Sequence, residues 1–81
     1  MNELELQGKT LEILRKKANK TQADGARIFG HGRSWLNDIE KGRLNITLDN
    51  GRRLVEFYGF NLNDYAKLYS ELEKRAIKDE K

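Results

Sequence analysis

Apolar residues recur along this chain at intervals of three and four, and no alternating run is long enough to suggest a strand. That spacing predicts helices, and the glycines and asparagines that interrupt it predict short turns. A first helix is expected over residues 4–18, with Leu11, Leu14 and Ala18 on one face, stopping at Asn19-Lys20. Thr21 supplies a hydroxyl to cap a short second helix, and Asp24 three residues on makes an approximate capping box. That helix ends before Gly30-His31-Gly32. A third is expected over about 33–41, with Leu36 and Ile39 inward and Trp35 beside them, and Gly42 terminates it. After a loop at 43–46, Thr47 caps a fourth helix whose apolar side holds Leu48, Leu54, Val55 and Tyr58, and Gly59 closes it. Asn61 caps the last helix, with Asp64 in the first turn to complement the helix dipole. Leu62, Tyr65, Tyr69, Leu72 and Ala76 then follow at steps of three and four. This heptad-like stripe is longer than a small bundle needs. The charged segment 74–81 is expected to fray.

Composition narrows the function more than the fold. At 81 residues there is room for one compact domain. There is no cysteine, which excludes disulfides, thiolate metal sites and cysteine nucleophiles. No apolar run approaches the roughly 20 residues of a membrane helix. The N-terminus lacks the basic-then-apolar order of a signal peptide. A cytoplasmic protein with no membrane association is therefore expected. The net charge is +3, but it is unevenly placed. Residues 9–53 carry eleven Lys/Arg against five Asp/Glu, whereas residues 54–81 carry five against six. Positive charge gathered in one half is the footprint expected of a nucleic-acid binder. No nucleophile–base pair is visible, so no enzyme activity and no cofactor are expected. The lone His31 reads as a turn residue, since a metal site needs further ligands.

Two short helices around a glycine turn, TQADGARIF–GHG–RSWLNDIEKG, have the spacing of a helix-turn-helix. Residues 8–65 resemble the Cro and phage-repressor type of helix-turn-helix, the Xre family. The resemblance rests on Leu11, Leu14 and Arg15, on Thr21, Gln22 and Ala26, and on Gly30 in the turn. Ser34, Leu36, the run Ile39-Glu40-Lys41-Gly42, and Tyr58-Gly59-Phe60 complete it. It implies an all-α fold: a five-helix lambda-repressor-like DNA-binding domain over residues 5–65, and an extended C-terminal helix over 66–81. The sequence departs from the family at Gly25 and Gly51, where leucine is usual, and at His31, where an apolar turn residue is usual. It departs again at Gly32, where Ser or Thr normally caps the recognition helix. A mid-helix glycine costs about 1 kcal/mol relative to alanine. Phe29, Trp35, Phe57 and Phe60 are expected to fill the missing volume.

Residue roles follow from the chemistry and from the resemblance together. Arg33, Ser34, Asn37 and Asp38 are placed to contact bases in the major groove. Arginine suits guanine, asparagine suits adenine, and aspartate accepts from cytosine; alternatively, Asp38 orients Arg33. The resemblance assigns phosphate contacts to Gln22, Arg43 and Asn45, with Lys41 nearby, and these position the protein without reading sequence. It also implies a structural ion pair, Arg15–Glu40, joining the first helix to the third. Leu62 and Tyr65 are expected to cover the first helix, with Tyr69 and beyond too far out to do so. Tyr65, Tyr69, Leu72 and Ala76 are the expected dimer or partner interface. The function expected is a sequence-specific double-stranded DNA-binding transcriptional regulator, a homodimeric repressor on a palindromic operator. Two alternatives stay open: an antitoxin holding a toxin partner, or the DNA-binding piece of a longer ligand-sensing regulator.

Overall fold

Short-range hydrogen bonds set the helix boundaries of this chain. The computed structural model describes residues 1–79, with side chains through Ile77. It has five helices and, among the described residues, no strand: α1 (Glu3–Lys17), α2 (Gln22–Arg27), α3 (Arg33–Glu40), α4 (Leu48–Phe57) and α5 (Leu62–Asp79). α1 to α4 all end in the same way. Asn19, Gly30, Gly42 and Gly59 follow them in the left-handed conformation, with φ between 61° and 89°. The next residue folds back, so Lys20 donates to the Arg15 carbonyl, His31 to Ala26, Arg43 to Asp38 and Phe60 to Val55. This is the Schellman arrangement. At the starts, Asn2 with Glu5 and Thr21 with Asp24 form reciprocal capping boxes. Asn61 with Asp64 repeats that exchange at α5, and the Thr47 hydroxyl accepts from the Asn50 N–H at α4. Only α3 begins without a side-chain cap, at Gly32.

The core gathers one face of each of the first four helices. Leu11 and Leu14 of α1, Ala26 of α2, Leu36 and Ile39 of α3, and Leu54 and Val55 of α4 are closed to solvent, with Ile46 and Tyr58. Ala18, Ile28, Phe29, Trp35, Phe60, Tyr65 and Leu68 pack around them. The periodicity misplaces some residues at the edges. Leu48, expected on the apolar side of α4, is 78% exposed, and Leu62 is 38% exposed. Leu68, which the stripe omits, takes the inward place on α5. Tyr69 is not beyond the reach of α1: with Tyr65 it borders a groove alongside Glu3, Leu4 and Gln7. Of the segment 74–81 expected to fray, residues 74–79 are helical, and Glu80 and Lys81 lie outside the described residues.

The glycines show how the helices come together. Gly8 is buried on α1, and a Cβ there would run into the Ile39 and Glu40 carbonyl oxygens. The C-terminal end of α3 therefore rests its backbone directly on α1. Gly25 leaves no empty space. Its Cβ direction is already occupied by the Tyr58 hydroxyl at 2.7 Å, Leu36 Cδ2 at 2.8 Å and Leu54 Cδ1 at 3.3 Å. Tyr58 fills the space that Phe29, Trp35, Phe57 and Phe60 were expected to fill; Phe57 instead lies at the surface under the Lys20 ammonium. Gly51 does leave a void: a Cβ there meets only Ile46 Cγ2, at 3.9 Å. It borders a cavity of about 60 Å³ with Leu11, Ile46, Val55, Leu62 and Tyr65.

Gly8→Ala should destabilise the domain by about 3 kcal/mol, the upper end of overpacking costs, because backbone and not a mobile side chain is in the way. Urea unfolding measures this. Tyr58 gives a second test, since its buried hydroxyl has no hydrogen-bond partner among the described residues. Tyr58→Phe should raise stability by about 1 kcal/mol, whereas Gly25→Leu should lower it by about 2 kcal/mol through overpacking. Burial pushes the Tyr58 hydroxyl well above the ordinary tyrosine value of 10 and the Tyr65 hydroxyl up to about 12. Above pH 10 the unfolded chain loses these protons first, so stability falls as pH rises, by less in Tyr58→Phe than in the wild type.

Candidate nucleic-acid interface

α3 is held from behind by a buried polar network. Arg15 Nε donates to Glu40 Oε2 at 2.7 Å and Nη2 donates to Oε1 at 3.1 Å, while Nη1 reaches the Lys20 carbonyl at 2.9 Å. Both side chains are nearly closed to solvent. Hydrogen bonding to Glu40 raises the Arg15 pKa beyond its ordinary value, against the opposing effect of burial. The ion pair expected from the resemblance is therefore present as a two-bond fork, the strong form of such a pair. Gln22, the first residue of α2, joins it: Nε2 donates to Glu40 Oε1 at 2.9 Å and to Asn37 Oδ1 at 3.2 Å. Glu40 fixes this amide orientation, since a flipped amide would set two oxygens against each other.

With Leu36, Ile39 and Glu40 turned inward, the opposite side of α3 carries Arg33, Ser34, Asn37, Asp38 and Lys41. Arg33, Ser34 and Lys41 are exposed; Asn37 and Asp38 are half-buried. Asn37 keeps its amino group free, but its oxygen accepts from Gln22. Asp38 does not orient Arg33. It pairs with Arg43 at 3.4 Å, because the Schellman turn at Gly42 folds residue 43 back over residue 38. Arg33 and Lys41 make no ion pair among the described residues, so both positive charges are open to a ligand. Asn45 uses its side-chain oxygen to accept from the Ile46 N–H at 2.9 Å, leaving its amino group unused. It also borders the groove of Glu3, Leu4, Gln7, Tyr65 and Tyr69, on the α5 side of the domain.

His31, expected as a turn residue, also has a ring partner. Its ring stacks on Trp35 with centroids 4.2 Å apart and planes 8° from parallel. Trp35 meets Phe29 at 5.3 Å, and the Arg53 guanidinium lies 4.9 Å over Phe29. Three rings and a cation thus line up from the turn to α4, beside the uncapped start of α3. The turn that Gly32 leaves without a side-chain cap is braced by ring contacts instead. The spacing of four between His31 and Trp35, straddling the helix start, was the available signal.

Among the described residues no group of His, Asp or Glu side chains could hold a metal ion, and no helix is long and apolar enough to cross a membrane. A family model described as "Helix-turn-helix domain" matches residues 8–71, a range that includes α2, the turn and α3. Comparison with curated proteins and with solved structures gives no match. The match spans more than three-quarters of the chain, and α3 sits within it as a helix braced inside and charged outside. The chain belongs to the helix-turn-helix domain family.

Proposed function

We propose that this protein is a sequence-specific regulator of transcription that binds double-stranded DNA as a homodimer and acts as a repressor in the cytoplasm. The observation that carries the reading is the two-sidedness of α3. Its inner face is fixed by the Gly8 contact and the Arg15–Glu40–Gln22 network, and its outer face holds unpaired Arg33 and Lys41 with Ser34, Asn37 and Asp38. A braced helix with a polar outer face suits insertion in the major groove, whose edges distinguish all four base pairs.

In this reading Arg33, Ser34, Asn37 and Asp38 contact bases. Asn37 offers its free amino group, and Asp38 first yields its contact with Arg43. Gln22, Lys41, Arg43 and Asn45 contact phosphates. Arg43 can exchange its 3.4 Å surface pairing for a phosphate at small cost, since exposed pairs contribute little. Gln22 does so by giving up the longer of its two bonds, to Asn37. Two copies would set their recognition helices about 34 Å apart on a palindromic operator.

Selection from random double-stranded DNA at two salt concentrations tests the reading; enrichment of a two-fold motif is expected, and recovery of unenriched DNA overturns it. On the selected site, Arg33→Ala should cost about 1–3 kcal/mol and relax preference at one position, with little effect on random DNA. Lys41→Ala and Arg43→Ala should weaken binding to both alike and each lower the salt slope by about 1. Placing the selected site across a promoter should lower transcription in a purified system.

A further inference from the structure

The ring of His31 is held in place while its polar atoms go unused. Its backbone is fixed by the turn: Gly30 takes the left-handed conformation, and the His31 N–H donates to the Ala26 carbonyl at 3.1 Å. Its imidazole lies parallel to the Trp35 indole, with Phe29 and the Arg53 guanidinium behind. Stacking sets the plane of a ring and leaves its edge open. His31 is exposed, and neither ring nitrogen makes a hydrogen bond or an ion pair among the described residues. At least one of the two always carries a hydrogen to donate. Bracing the turn uses only the face of the ring, which a phenylalanine would supply as well.

The stack also stands on a particular side of α3. Trp35 precedes Asn37 by two residues and Glu40 by five, which at 3.6 residues per turn puts it on the flank opposite the Gln22 bonds. A helix with its side chains is nearly as wide as the major groove, so an inserted helix has a phosphate strand along each flank. Gln22 serves one flank in the proposed function. His31 lies along the other, immediately before Gly32 and Arg33. The charges around it favour an anion. Arg27 and Arg33 lie to either side of it in the chain, and Arg53 of α4 backs the stack. Of the acids on α2 and α3, Asp24 is paired with Arg27 at 3.7 Å, Asp38 with Arg43 at 3.4 Å and Glu40 with Arg15. None pairs with His31, so the anion that suits a charged imidazole there has to come from a ligand.

We propose that His31 is a further phosphate contact, donating from its Trp35-stacked imidazole to the DNA strand on that flank, and doing so more strongly when the ring is charged. The proposal rests on the DNA-binding reading and adds a residue to it. It requires neither a dimer nor a repressor role.

Fluorescence anisotropy of the full chain on a random-sequence duplex and on the selected site, at about pH 8 and about pH 6, provides the test. Histidine is the side chain whose ordinary change of charge falls in that range, and His31 is the only histidine of the chain. The wild type should bind both duplexes about threefold to tenfold more tightly at the lower pH, with a salt slope steeper by about 1. His31→Phe keeps a ring for Trp35, and His31→Gln keeps a neutral donor; the position is exposed, so neither enters the core. Both variants should lose the pH response, and His31→Phe should keep the wild-type unfolding midpoint. A wild type without the response overturns the proposal, as does a response that both variants retain. A response confined to the selected site also overturns it, since a phosphate contact does not read sequence. Lowered unfolding midpoints with an unaltered pH response would leave the ring a brace only, and overturn it too. The two readings fail separately: a wild type that binds neither duplex overturns the DNA-binding reading, whereas one that binds both equally at each pH overturns the His31 contact alone.

Discussion

The fork between Arg15 and Glu40 is the interaction on which the arrangement of α3 depends. Its partners lie 25 residues apart, and Glu40 also accepts from Gln22, so one carboxylate ties together α1, α2 and α3. Burying such a pair adds little net stability, because desolvation offsets most of the attraction; removing one partner costs about 3–5 kcal/mol. The pair therefore acts by penalising every packing in which it is incomplete. The apolar contacts of the core are non-directional, whereas the fork and the backbone contact at Gly8 are directional and tie α3 to α1 at named atoms. With α3 held in this way, Arg33 to Lys41 lie on its outer face.

The start of α3 differs from the starts of the other four helices. Three starts beside that of α3 are closed by side-chain exchange boxes, and α4 has a hydroxyl cap. Replacing a cap residue by alanine costs about 1 kcal/mol, and glycine lies only a few tenths below the best caps. Gly32 therefore gives up little stability while keeping side-chain bulk away from the start of α3, where a Cβ would meet nothing within 4 Å. The stack of His31 on Trp35, backed by Phe29 and Arg53, restrains the turn from its flank.

Local features were legible in the sequence, and features requiring distant partners were not. Every cap and every left-handed terminus follows from residues within six of one another, so Thr21-Asp24, Thr47, Asn61, Gly42 and Gly59 could be read directly. The ion pair was legible only through resemblance, since nothing local links residue 15 to residue 40. Gly25 looked like an empty site because the side chain that fills it, Tyr58, comes from α4. Leu48 and Leu62 satisfied the helical period and still lie outside. Periodicity fixes a direction around a helix but not whether the core extends to its first turn. Asp38 was legible in principle: a Schellman turn at Gly42 brings residue 43 against residue 38, and Arg43 was already the complementary charge.

The hydrogen bonds on the outer side of α3 also constrain how base reading and phosphate gripping combine in the proposed function. Gln22 has two amide hydrogens, one used by Glu40 and the other by Asn37. Arg43 likewise divides its charge between Asp38 and any phosphate it meets. Each proposed backbone contact at these positions therefore releases a side chain that faces bases. Freed from Gln22, Asn37 regains the acceptor that adenine recognition needs alongside its amino group; freed from Arg43, Asp38 becomes a full acceptor for cytosine. In the proposed function, gripping the backbone in this way would complete the reading surface and couple affinity to specificity through shared hydrogen bonds. The coupling would be local: each exchange needs only a side-chain amide or guanidinium to move, and the Arg15–Glu40 fork is not among the bonds exchanged.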